Sequence, residues 1–256
     1  MSEIISVRRR LILGLGAGAS TLLLGGCDRL SDLSRTQSVL GSAQWLTRGV
    51  QRALVSRNAL APEFTRADIA PVFRPNGTTN PDNPEYQTLA RNGFRDWRLR
   101  VDGLVEQPKA FSLDDLHSMP AQTQITRHDC VEGWSCIGQW TGPLLREVLA
   151  RVVPKPQARY VMFFCADPMD DGNDLYYESI DMRTAAHPQT LLAYALNDET
   201  LPITYGAPVR LRLGRQLGYK MAKYVMHIQL VPSYRTFGQG QGGYWEDQGY
   251  AWYAGI

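Results

Sequence analysis

Arg127-His128-Asp129-Cys130-Val131-Glu132-Gly133-Trp134-Ser135-Cys136, running on through Trp140-Thr141-Gly142-Pro143, is the stretch on which the fold turns. It places a thiol in a short, turn-rich segment between two better-patterned elements, with an arginine and a histidine before it and tryptophans after it. Loops held by a rigid scaffold are where chemistry concentrates. Upstream, residues 123–126 read as a strand. Downstream, Thr141-Gly142-Pro143 predicts a helix start, with a capping residue and an early proline. Leu144, Leu145, Val148, Leu149 and Val152 then share one face at helical spacing, and Pro154 lies just beyond.

Further outward, residues 97–105 alternate apolar and polar positions and meet Gly103, the pattern of a strand and turn. Ser112-Leu113-Asp114-Asp115 is a capping box that opens a short helix, and His117 on it reads as a surface histidine. Residues 159–165 are a short apolar run, read as a buried strand that ends at the buried thiol Cys165. The acidic loop 167–174 lacks the spacing of a calcium loop and reads as solvated. Residues 186–197 place a proline near a helix start and an asparagine at its end, with His187 as a helix-start residue. In residues 205–214, Val209, Leu211 and Leu213 fall on one face of a strand, and Arg210 and Arg212 on the other. Gly218-Tyr219-Lys220-Met221-Ala222-Lys223 follows, and a glycine- and aromatic-rich tail ends the chain.

The chain has 256 residues, 44% hydrophobic and 20% charged, which is ordinary globular composition with length enough for a substantial core. Its beginning reads differently. Arg8-Arg9-Arg10 followed by an apolar run to Gly26 is the pattern of a signal peptide, too short to span a bilayer comfortably, and Arg8-Arg9-Arg10-Leu11-Ile12 fits a twin-arginine export signal. Leu24-Gly25-Gly26-Cys27 resembles a lipoprotein cleavage box, which predicts a lipid anchor at Cys27 and a periplasmic location. The organisation expected is therefore a signal segment at 1–26, a tether at 27–60 holding a short helix around 44–55, and one domain at 61–256. Removing residues 1–26 takes away three arginines and one glutamate and leaves 24 basic and 24 acidic residues. A balanced chain of this kind excludes a broad basic surface for nucleic acid.

The order R-x-x-C-V-E-G-W-S, W-T-G-P-L-L and an amphipathic segment resembles the molybdenum-binding segment of the sulfite oxidase family, above all its bacterial periplasmic methionine sulfoxide reductase group. The resemblance covers roughly residues 76–256. It implies an α+β fold with mixed sheets, and no immunoglobulin-like dimerisation domain is recognised after it. It also implies one molybdenum-molybdopterin per chain, with Cys130 as the protein ligand to the metal. Asn76 corresponds to a loop folding over the pterin, and Cys165 to a strand end that approaches it. The G-A-P-V-R-L arginine, Arg210, and the turn containing Lys220, Met221, Ala222 and Lys223 correspond to the pocket for the pterin phosphate. Tyr205 stands where the family often has asparagine.

Thiolate is the soft, anionic ligand that such a metal requires. Arg127 and His128 would supply donors that attract an oxyanion or polarise a sulfoxide oxygen. The expected activity is oxygen-atom transfer on a sulfoxide or similar S- or N-oxide, free or protein-bound. No C-x-x-C-H haem signal occurs, so electrons would come from a separate partner, a membrane haem protein or cytochrome. A sulfite or other oxyanion dehydrogenase with the same cofactor is the enzyme alternative. A lipid-anchored, cofactor-free binding protein with a Cys130–Cys136 disulfide, or a zinc site at His128, Cys130 and Cys136, is the alternative of another class.

Overall fold

The computed structural model describes residues 49–50, 59–169 and 174–256. The chain divides into two units, Met1–Ser56 and Arg57–Ile256. Of the first, only residues 49–50 are described, and they are helical. The twin-arginine signal, Cys27, most of the tether with the rest of its helix, and the middle of the acidic loop (170–173) lie outside the described residues.

In chain order the second unit runs α1 (Pro84–Arg91), β1 (Leu99–Gly103), β2 (Lys109–Phe111), α2 (Leu113–His117), β3 (Ala121–Asp129) and β4 (Ser135–Pro143). It continues with α3 (Leu145–Ala150), β5 (Tyr160–Pro168), β6 (Leu175–Asp181), α4 (Met182–Ala185), β7 (Thr190–Ala193) and β8 (Ala195–Leu196). The last elements are β9 (Glu199–Thr200), β10 (Arg210–Leu213), β11 (Val225–Val231) and α5 (Tyr244–Asp247). Three sheets result, ordered β2-β1-β11-β5-β6, β3-β4-β8-β9 and β10-β7. The first is mixed, with β1 parallel to β11 and the other pairs antiparallel. This is the mixed-sheet α+β architecture that the family resemblance implies.

The strand and helix expected at 97–105 and Ser112 form as read. Trp97, Leu99 and Val101 are fully buried in the main core with Leu145, Val148, Phe163 and Ile228. Ser112 caps α2, accepting from Asp115 N at 3.1 Å while the Asp115 carboxylate accepts from Ser112 N at 2.8 Å. His117 is exposed and stacks on Tyr194 at 4.0 Å.

Two expectations need correction. Thr141-Gly142-Pro143 does not begin a helix: it is the end of β4, and α3 starts after Leu144. Close packing explains why, because a Cβ on Gly142 would collide with the Leu192 carbonyl where β4 crosses β7. Residues 186–197 are not a helix either. Leu191, Leu192 and Ala193 are fully buried and pair with β10, so the apolar run is a strand covered on both faces. Asn197 and Asp198, at φ 54° and 67°, turn β8 into β9, so the asparagine belongs to a hairpin and not to a helix end. His187 is structural, with Nε2 against the Ala59 carbonyl at 3.1 Å and Nδ1 accepting from Gln189 N at 3.2 Å.

Candidate active site: a cysteine hairpin backed by buried cations

β3 and β4 keep antiparallel register from Ala121 opposite Pro143 to Asp129 opposite Ser135. The turn-rich part of the motif is therefore only residues 130–134. It closes with Cys130 N donating to Trp134 O at 2.9 Å and Gly133 N donating to Cys130 O at 3.1 Å. Cys130 is 8% exposed. Burial pushes its thiol up, while backbone N–H groups of Glu132 and Val131 and the Arg74 charge favour the thiolate. Cys130, Cys136 and Cys165 are all free, so the disulfide alternative is not built. No group of three His, Cys, Asp or Glu side chains suited to a metal occurs among the described residues, which removes the zinc alternative.

Strand alternation sorts the neighbours of the thiol. His128 lies on the inward face of β3 and the buried Cys130 follows just past the strand's end, whereas Arg127 points outward, exposed, and pairs with Asp129 at 2.8 Å. Arg127 therefore does not flank the thiol as expected. His128 is fully buried, and its Nδ1 meets the Arg212 guanidinium at 2.9 Å. Arginine has only donors, so Nδ1 accepts and Nε2 carries the proton. Burial and the charges of Arg212, Arg210 and Lys223 hold the ring well below its usual pKa, hence neutral. His128 thus orients Arg212 and is not the donor to a substrate oxygen that the sequence suggested. A Cβ on Gly218 would come within 2.5 Å of His128 Nε2, so only glycine allows the 218–220 turn to pack here.

Behind this hairpin lies an unusual accumulation of charge. β10 places Arg210 and Arg212 on one face, and both are 2% exposed or less. The sequence pattern of alternate arginines is real, but that face points inward. Both guanidiniums stack on Trp140, at 5.0 and 4.3 Å. Arg210 donates to the carbonyls of Tyr205 at 3.0 Å and Met221 at 3.3 Å, and Arg212 to Thr126 Oγ1 at 3.3 Å. Lys223 donates to the carbonyls of Asn76, at 2.6 Å, and Thr78. None of the three cations forms an ion pair among the described residues. Burial lowers Arg210 to about 10 and Lys223 to about 7, and Arg210 adds to the second shift. Asp167, the nearby carboxyl, is raised to about 7 by burial against the pull of Lys223. Nε of Arg210, Nε of Arg212, Nε2 of His128, Nε1 of Trp140 and Oδ1 of Asp167 are buried without hydrogen-bond partners. A buried polar atom left unmatched costs about 1–3 kcal/mol, so this concentration marks a place built for something else.

A cavity of about 80 Å³ opens beside the cluster, with Asn76, Thr78, Asp167, Gly218, Met221 and Lys223 among its walls. Asn76, Met221 and Lys223, chosen from sequence, thus meet at one pocket. Cys165 is 2% exposed on β5 and close enough to Asp167 and Lys223 to feel both charges, but it lines no part of the cavity. Ala222 is buried and its carbonyl accepts from Leu211 N at 2.8 Å, a structural bond. Lys220 departs most from expectation. Its ammonium is bound to Glu178 at 2.5 Å and to Glu246, all three 1% exposed or less on their side chains. Burial would lower its pKa, and the two carboxylates outweigh this and raise it. Lys220 is therefore committed to an internal ion triad and is not directed at a phosphate. Tyr205, in the position of the family's asparagine, donates to the Phe73 carbonyl at 2.7 Å. Sequence reasoning missed Arg212 and Arg74; the alternation that exposed Arg210 also marks Arg212.

Residues 86–236 match the oxidoreductase molybdopterin binding domain. The chain is 41% identical over 91% of its length to a putative protein-methionine-sulfoxide reductase subunit YedZ1 of Azospira oryzae, covering 82% of that protein. It is 37% identical over 60% of its length to the protein-methionine-sulfoxide reductase catalytic subunit MsrP of Ralstonia nicotianae, covering 49% of it. To MsrP of Xanthomonas campestris it is 33% identical over 87% of its length, covering 70% of that protein.

Proposed function

Because the chain belongs to the oxidoreductase molybdopterin-binding domain family, a family of molybdopterin-dependent enzymes, we propose that it reduces sulfoxides, including methionine sulfoxide in proteins, with Cys130 as the metal ligand. The observation that carries the site assignment is a buried cluster of three cations with no ion pair among the described residues and only Asp167, itself pushed towards its neutral form, beside it. Arg210, Arg212 and Lys223, with the orphaned donors around them, fit a phosphate-bearing group, and the Cys130 hairpin stands in front of them. Guanidiniums suit phosphate by their planar fork and Lys223 adds point charge.

When bound, molybdenum-molybdopterin supplies the oxygen-atom transfer and stores the electrons for it. The work of the chain is to hold and shield. Backbone N–H groups of Val131 and Glu132 favour the Cys130 thiolate as a ligand. Trp140 beneath the two arginines and Phe73, edge-on to Trp140 at 5.1 Å, exclude water behind the hairpin. A neutral His128 keeps Arg212 aimed without adding a further charge to the cluster. The names of the relatives support sulfoxide as substrate class, and the exposed Val131 and Val72 near the hairpin suit an apolar, chain-borne one. Export by the twin-arginine route, a lipid anchor at Cys27, a periplasmic location and a separate membrane electron donor complete the proposal, on the strength of residues 8–27 and the absence of a haem attachment signal.

The test is elemental and catalytic together. Wild-type protein from a cofactor-competent host should carry molybdenum at about one per chain and reduce methionine sulfoxide with a reduced viologen donor, and Cys130→Ser should lose the metal. Molybdenum with sulfite oxidation and no sulfoxide reduction would instead support the oxyanion reading.

A further inference from the structure

The mouth in front of Cys130 has a cation that the cysteine motif does not contain. Arg74 is carried by a loop laid along β4, where the Cys136 thiol donates to the Val72 carbonyl at 3.8 Å and Phe73 packs edge-on against Trp140. That placement puts the Arg74 guanidinium over the Trp134 ring, 5.0 Å from its centre. Trp134 belongs to the thiol's own loop: its carbonyl accepts from Cys130 N at 2.9 Å and its indole donates to Glu132 Oε2 at 2.9 Å. Arg74 is exposed and forms no ion pair among the described residues, while Arg127 is occupied by Asp129 on the other face of β3.

We infer that Arg74 recognises the oxygen of the substrate and that the Arg74–Trp134–Glu132 rim selects a neutral alkyl sulfoxide over an oxyanion. The inference rests on the sulfoxide reading above. A sulfoxide is a neutral dipole with one oxygen able to accept a hydrogen bond and two alkyl arms. One unpaired guanidinium provides the donor, and the Trp134 ring with exposed Val131 and Val72 provides apolar surface for the arms. A doubly charged oxyanion would need more donors and would meet the Glu132 carboxylate beside Arg74. Arg74 is thus a substrate-positioning residue, brought to the thiol by the docking of its loop.

The experiment uses molybdenum-loaded wild type, Arg74→Gln and Arg74→Lys, matched for metal content. Steady-state reduction of methionine sulfoxide is measured together with inhibition by dimethyl sulfone, which keeps the oxygens, and by dimethyl sulfide, which lacks them. Arg74→Gln should raise the sulfoxide KM and the sulfone inhibition constant by about tenfold, the loss of one charge-assisted hydrogen bond. Inhibition by the sulfide should not change, and Arg74→Lys should recover part of the loss. Equal weakening of sulfone and sulfide would mean that Arg74 only supports the loop, and no change in either would remove it from the site; each result overturns the inference. Absence of sulfoxide turnover in the wild type sinks the substrate reading, whereas turnover with an unaltered Arg74→Gln sinks this inference alone.

Discussion

Lys220 and Lys223 are three residues apart and both are buried, yet the fold treats their charges in opposite ways. Lys220 is enclosed by the Glu178 and Glu246 carboxylates and the Ser179 carbonyl, which accepts at 3.1 Å. Lys223 donates only to carbonyls and shares its surroundings with Arg210 and Arg212; none of the three forms an ion pair among the described residues, and the one carboxyl in their pocket, Asp167, is pushed towards its neutral form. A buried charge is tolerated when it is paired and hydrogen-bonded. The Lys220 triad pairs its ammonium within the chain, leaving Glu246 Oε2 as its one unpartnered oxygen among the described residues, and joins the 218–220 turn to β6 and to α5 of the C-terminal segment. The Lys223–Arg210–Arg212 cluster has no ion pair among the described residues, and in the proposed function the phosphate of the cofactor completes it. Charge that the protein balances itself is structural, and charge left unbalanced in a dry place belongs to a ligand.

The comparison is broken most easily by removing one member of each group. Lys220→Met leaves two buried carboxylates facing each other and should destabilise the fold by about 3–5 kcal/mol, read as a large fall in Tm by calorimetry. Arg212→Met, in cofactor-free protein, should leave Tm unchanged or raise it, because it removes an unpaired buried cation of similar shape. If both variants fall equally, the distinction between the two clusters fails.

A pH series sharpens the same point. Burial brings Asp167 and Lys223 both to about 7, the acid raised above its ordinary value and the base lowered below its own. As pH falls through 7 each gains a proton, so the pocket becomes more positive. Sulfate, a dianion at pH 6 and at pH 8 alike, should bind cofactor-free protein about tenfold more tightly at the lower pH, by isothermal calorimetry. Asp167→Asn should flatten the profile, and an unchanged profile in that variant would exclude Asp167 from the pocket. Lys220 has the opposite signature: its folded-state pKa is raised, so its contribution persists through neutral pH and is lost only as pH rises through that raised value. The smallest effect belongs to charge at the surface. Arg66 and Asp198 form an ion pair at 2.7 Å with side chains 71% and 57% exposed, and Arg66→Ala should not move Tm measurably.

How far the sequence carries can be seen in the same residues. Arg210 and Lys223 stand out because short motifs hold them at fixed spacing, and Asn76 by its loop's distance from the cysteine; the structure gathers these three around one site. The fate of Lys220 was not legible, because its two partners lie 42 and 26 positions away and only the tertiary fold brings them together. Arg127 was partly legible: three residues from Cys130 on a strand places it on the opposite face, but this required knowing that β3 continues to Asp129. Arg74 had no local signal, since its place depends on how the loop before α1 docks onto β4. The helix expected at 186–197 failed for another reason. A short apolar run buried on both faces has no period that separates strand from helix, and Asn197 ends either one.

The measurement that tests the central claim most directly is pterin content per folded chain in wild type, Arg210→Leu and Glu246→Gln, with folding checked by circular dichroism. The account predicts that Arg210→Leu is folded and nearly free of pterin, having lost a charged fork worth roughly 2–3 kcal/mol of phosphate binding, while Glu246→Gln keeps its pterin and loses only thermal stability. Full pterin in Arg210→Leu, or loss of pterin from well-folded Glu246→Gln, would contradict it.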